Sequence, residues 1–83
     1  MTVLKVTLLG ADRENARNDQ RVLPGIAQKI ANLFNQEGAV VKLECSARLG
    51  AIGLVLHPGV MNSTIKEVLA TLRSWGMTSE VSD

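Results

Sequence analysis

Apolar and polar residues alternate over Thr2–Leu9, with Leu4, Val6 and Leu8 on one side and Val3, Lys5 and Thr7 on the other. That is the two-residue period of a strand with one buried face. The same period returns over Ala39–Cys45, where Val41, Leu43 and Cys45 alternate with Val40, Lys42 and Glu44. Leu49–His57 (LGAIGLVLH) is different: it holds no charged residue before His57, which predicts a central strand covered by other structure. Ser46–Leu49 is a short turn between these two strands, so they form a hairpin. His57-Pro58-Gly59 closes the second of them, because proline donates nothing to a ladder.

A helical period governs two further segments. In Val22–Glu37 the residues Ile26, Ile30 and Leu33 fall on one stripe, widened by Leu23, Ala27 and Phe34. Gln28, Lys29, Asn32, Asn35 and Gln36 fall opposite. Pro24 suits the first turn, where its missing N–H costs nothing, and Gly38 is placed to end the helix. The second helix begins at about Val60 or Thr64 and runs to Trp75, with Met61, Ile65, Val68, Leu72 and Trp75 as its stripe. Thr64 and Glu67 have capping-box spacing. Gly76 is expected to end this helix, with Met77 folding back on Leu72. Met77–Val81 reads as a weak terminal strand, and Ser82–Asp83 as a frayed end. Between the first strand and the first helix, Gly10–Arg21 (GADRENARNDQR) is polar throughout. It is expected to be a long loop, of the kind that is often functional or mobile, in which ENARND has the makings of a short helical turn.

The order strand, helix, strand, strand, helix, strand looks like two copies of one split unit. With right-handed crossovers it gives an α+β, ferredoxin-like βαββαβ two-layer sandwich: a four-stranded antiparallel sheet with two helices on one face, forming a single domain over residues 1–83. The first and third strands are then central and the second and fourth are edges. Charge agrees, since Lys42, Glu44 and Glu80 fall on the edge candidates, where charges resist unwanted pairing.

Composition narrows the reading. A chain of 83 residues buries only roughly 60–65% of its unfolded surface, so its core must be efficient or partly covered by a partner. It is 46% apolar and 20% charged, with Phe34 and Trp75 as its aromatics and a formal net charge of +1. Near neutrality gives no strong field for nucleic acid or an anionic membrane. RNA-binding sheets of this type stack bases on strand aromatics, whereas both aromatics here fall on helices. No apolar run is long enough to span a bilayer, and the N-terminal segment reads as a strand, not a leader. A single cysteine, Cys45, excludes an internal disulfide and points to a reducing, cytoplasmic setting.

Candidate chemistry is sparse. Cys45 and His57 are the soft metal ligands, but the hairpin separates them by roughly 20 Å at about 3.4 Å per residue. No metal, cofactor or catalytic pair is therefore expected. Cys45 is read as a small core residue, His57 as a strand-end residue, and Trp75 as a core anchor. The face of the sheet left bare by the helices would show Val3, Lys5, Thr7, Val40, Lys42, Glu44, Ala51, Gly53, Val55 and His57. Its small apolar centre admits another surface. Val3, Lys5, Lys42, Ala51, Gly53 and Val55 are therefore the candidate interaction residues, for a partner protein or a homodimer.

The segments Leu23-Pro24-Gly25, the hairpin and Ile65-Lys66-Glu67-Val68-Leu69 resemble, in order and spacing, the DinI-like family of small bacterial and phage proteins of the DNA-damage response. The likeness spans Leu4–Trp75. It implies a regulator acting on a RecA filament through a strongly acidic last helix. Here that helix carries Lys66 and Arg73 against Glu67, so only Glu67 carries over, and the Gly10–Arg21 segment is extra. The leading expectation is a small non-enzymatic regulatory or protein-binding module, acting through its open sheet face, its edge strands or the 10–21 loop. The alternative is an acylphosphatase-like enzyme holding an anion with Arg13, Arg17 and Arg21 beside a helix N-terminus, although that family's glycine-rich loop ending in an aromatic–arginine pair is not present.

Overall fold

The computed structural model describes residues 2–82. Four strands and three helices follow one another as β1 (Val3–Thr7), α1 (Gly10–Asn18), α2 (Val22–Asn32), β2 (Val40–Ser46), β3 (Ala51–Leu56), α3 (Asn62–Ser74) and β4 (Thr78–Ser82). The strands form one antiparallel sheet in the order β2-β3-β1-β4. The two most apolar strands, β1 and β3, are central as expected, and the charged strands β2 and β4 are the edges. Ser82 closes β4 opposite Val3; Asp83, expected to fray with it, lies outside the described residues.

Alternation puts Leu4 and Val6 of β1, and Ile52, Leu54 and Leu56 of β3, on one face, where all are fully buried. They share a single core with Ala16 of α1, Leu23, Ala27 and Ile30 of α2, Phe34, and Ile65, Val68 and Leu72 of α3. The helices therefore cover the same face of the sheet, and aliphatic packing fills the layer between. Truncating any of the fully buried Leu or Ile side chains to Ala is worth about 2–5 kcal/mol in such a core.

The largest departure from expectation is Gly10–Arg21. It is not a loop: Gly10–Asn18 is a nine-residue helix, and the connection to α2 is only Asp19–Arg21. One side chain, Ala16, anchors α1 in the core. Helix α2 is shorter than its apolar pattern, ending at Asn32 and not Glu37. The chain then turns through Asn35, which takes a positive φ of 47° ahead of Gly38, so Gly38 lies in the connection and does not cap the helix.

Helix α3 starts at Asn62, with Met61 as N-cap and no side-chain cap. Thr64 thus sits inside the first turn, and the expected capping box with Glu67 does not form. Its C-terminus follows expectation. The Met77 N–H donates to the Leu72 carbonyl at 3.0 Å and the Gly76 N–H to the Arg73 carbonyl at 3.0 Å. With Gly76 at φ +81° this is a Schellman end, and Met77 is buried in the core beside Leu72. Trp75 is not the core anchor expected of it: it lies past the last full turn and is 42% exposed, and Met61, ahead of the first turn, is 67% exposed. Among the described residues, no helix is long and apolar enough to cross a membrane.

Candidate functional site

The uncovered face of the sheet is built by the odd residues of β1. Because Leu4 and Val6 turn into the core, Val3, Lys5 and Thr7 turn away from it. The strand registers then align three rows across the sheet. The first is Lys42–Val55–Val3–Ser82, the second Glu44–Gly53–Lys5–Glu80, and the third Ser46–Ala51–Thr7–Thr78. All six candidate interaction residues fall in these rows. Val3 and Val55 are direct cross-strand partners and half-buried, Gly53 lies beside them, and Ala51 is buried among its neighbours. Lys5 and Lys42 stand exposed around this small apolar centre.

Charge on the face is balanced. Lys5 has Glu80 directly opposite on β4, a cross-strand pairing of opposite signs. Lys42 Nζ lies 2.9 Å from Glu44 Oε1, two residues along the same strand, with both side chains about two-thirds exposed. Gly53 leaves the middle row flat, with Glu44 Cβ the nearest atom to where its side chain would begin, at 3.9 Å.

Two residues expected on this face are elsewhere. The register of β2 slips between Val40 and Lys42, a β-bulge. Val40 consequently pairs with the core residue Leu56 and packs against the core. His57 follows the end of β3. It is exposed, and its Nδ1 accepts the Gly59 N–H at 2.9 Å, tying it into the turn that leads to α3.

Cys45 was expected in the core, and it is exposed. It does point to the helix side, opposite the buried Ile52, but no helix reaches over that part of the edge strand. Two further apolar residues of the same edge strand are accessible, Leu43 at 37% and Val41, the residue skipped by the bulge, at 54%. A groove lined by Gln28, Ala31 and Asn32 of α2 runs beside Val41 and Leu43. Sequence reasoning missed this apolar edge, although Leu43 between Lys42 and Glu44 was its signal. Cys45 and His57 lie toward opposite ends of the hairpin, since Cys45 pairs with Ile52 while the His57 N–H reaches the Ala39 carbonyl at 2.8 Å. Among the described residues, no three His, Cys, Asp or Glu side chains gather as metal ligands would.

The three arginines of the anion reading are distributed over α1 and its exit. Arg13 and Arg17 are one turn apart on α1 and both exposed. Arg13 folds over Gly50 in the β2–β3 turn. Arg21, beyond the helix, is engaged by its neighbour: Nε and Nη2 donate to the two carboxylate oxygens of Asp19 at 2.9 and 3.2 Å. The Arg21 guanidinium holds the Asp19 carboxyl below its ordinary value, with the Arg21 backbone N–H assisting. No protein-family model matches the chain, nor does any curated protein.

Proposed function

We propose that the chain is a small protein-binding module, with no chemistry of its own, that receives a partner protein on the open face of its sheet. Its frame β1–α2–β2–β3–α3–β4 reads as a ferredoxin-like sandwich with α1 added to the first crossover. The central position of β1 and β3 and the edge position of β2 and β4 support that reading.

The observation that carries the binding reading is the Val3–Val55 pair. Two half-buried valines meet across the strands, next to Gly53 and Ala51, on a face that no helix covers. Lys5 and Lys42 are balanced there by Glu44 and Glu80. Such a surface suits the mixed polarity of a protein partner better than a polyanion, which calls for an excess of positive charge. Glu67, the position shared with DinI-like proteins, is exposed on α3 between Lys66 and the solvent-facing Arg73. That helix presents mixed charge, so the reading rests on the sheet and not on α3. The grip of Asp19 on Arg21 weighs against the anion-handling alternative.

The test compares capture by the parent chain, a Val55→Glu variant and a Lys66→Glu control on the opposite layer. A partner lost with Val55→Glu and retained with Lys66→Glu supports the reading, and capture that all three share equally overturns it. Titration with inorganic phosphate, followed through the amide shifts of residues 10–25, decides the alternative. Saturable shifts there would favour an anion site at Arg13, Arg17 and Arg21, and flat shifts would remove it.

A further inference from the structure

The edge strand β2 is seven residues long, has a neighbour on one side only, and exposes Val41, Leu43 and Cys45. We propose that it is a self-association edge: two copies of the chain pair their β2 strands antiparallel about a two-fold axis at Leu43, joining two sheets into one. The inference is separate from partner binding on the open face, and neither depends on the other.

The alternation of β2 selects this arrangement. Lys42 and Glu44 point to the open face, opposite Val55 and Gly53, while Leu43 and Cys45 point to the helix side, opposite Leu54 and Ile52. In an antiparallel ladder, facing residues must project from the same face of the sheet. A two-fold axis perpendicular to the sheet must therefore pass through a residue and not between two. An axis at Lys42 sets that lysine against its own copy, and an axis at Glu44 sets two glutamates together. Like charges directly opposite are unfavourable. An axis at Val41 falls on the bulge, and one at Cys45 runs the pairing off the strand into the turn that begins after Ser46. At Leu43 alone, Lys42 of each copy faces Glu44 of the other, twice, and Leu43 meets Leu43 across the axis on the helix side.

Charges on an edge strand normally discourage pairing. They do so when the incoming strand offers a like charge or an apolar side chain. The Lys-Leu-Glu order has the opposite effect on a second antiparallel copy, because the symmetry turns each charge onto its complement. The pair that Lys42 and Glu44 make within one strand is exposed, and such a pair contributes little. Exchanging it for two pairs across the axis therefore loses little while covering Leu43. The bulge at Val41 bounds the regular part of the strand, so the pairing is short and the association weak.

Sedimentation of the full chain from about 1 µM to about 1 mM should show a concentration-dependent dimer. Lys42→Glu and Glu44→Lys are each expected to weaken it by about tenfold or more, since each turns both cross-axis pairs repulsive. An equimolar mixture of the two variants should dimerise again, because every charge then faces its opposite. A chain that stays monomeric throughout, single variants that dimerise like the parent, or a mixture that fails to recover would each overturn the proposal. The register is read separately. Leu43→Cys in a Cys45→Ser background should give a covalent dimer with a short bismaleimide, and no such product would exclude an axis at Leu43.

Discussion

Arg13 lies across Gly50: a side chain started at Gly50 would come within 3.1 Å of Arg13 Cγ and 3.3 Å of its Nε. This places α1 against the turn between β2 and β3. Gly50 is also fixed by its backbone, accepting the Leu8 N–H at 2.7 Å, and it takes φ +61°. Gly50→Ala should therefore destabilise the protein by about 1–2 kcal/mol, the cost of a left-handed backbone for a residue with a Cβ. The arginine stem is flexible and can yield, so Arg13→Ala added to Gly50→Ala should recover only a small part. Urea unfolding of the parent, Gly50→Ala, Arg13→Ala and the double variant separates the two contributions. A cost for Gly50→Ala that vanishes once Arg13 is truncated would place the whole effect in the side-chain contact.

Helix α1 makes a second prediction, because its single buried side chain is Ala16. Ala16→Leu should overpack the layer between α1 and the sheet and cost about 1–3 kcal/mol. Arg17→Ala, on the exposed side of the same helix, should stay within about 0.5 kcal/mol of the parent. Equal, negligible effects at both positions in thermal or urea unfolding would mean that α1 is not docked.

The same helix shows what periodicity can and cannot reveal. Gly10–Asn18 offers one small apolar residue that reaches the core, too little for a helical stripe, so its charges read as a solvated loop. The strands were legible because their charge load tracks their place in the sheet: Leu49–His57 is central and Lys42, Glu44 and Glu80 mark the borders. Pattern also assigned Leu43 and Cys45 to the helix side correctly. It did not tell how far the helices extend, and both residues lie beyond their cover. Val40 was misplaced by a bulge, which is a local slip with no composition of its own, and Trp75 by falling at the end of α3 after the last buried turn. Val3, Lys5, Ala51, Gly53 and Val55 keep their expected places on the open face because β1 and β3 pair without irregularity, and Lys42 keeps its place because it pairs with Val55 just past the bulge.

Two glycines should respond in opposite directions. Gly76 holds φ +81° in the Schellman end of α3, so Gly76→Ala should cost about 1 kcal/mol. Gly25 is inside α2 with an ordinary helical backbone, and nothing lies within 4 Å of where a Cβ would be. Gly25→Ala should stabilise by about 0.5–1 kcal/mol, chiefly by restricting the unfolded chain. Melting curves read both signs. A destabilising Gly25→Ala would show that α2 does not extend to its first turn.

The pairing of Asp19 with Arg21 predicts a pH dependence of definite sign. Arg21 lowers the Asp19 carboxyl from its ordinary 3.8 in the folded chain. The folded state then binds this proton less readily than the unfolded state does. The contribution to stability is present above the unfolded value and is lost as pH falls through the folded one. Because the pair is exposed to solvent, the effect is small and salt weakens it further. The direct measurement is the carboxyl carbon shift of Asp19 against pH. Its midpoint should lie below the ordinary value in the parent, rise toward 3.8 in Arg21→Gln, and rise part of the way at 1 M salt, where the Debye length is about 3 Å. A midpoint that Arg21→Gln leaves unmoved would mean that the two-point contact between these side chains does not persist in solution, and Arg21 would then be free to join Arg13 and Arg17 in holding an anion.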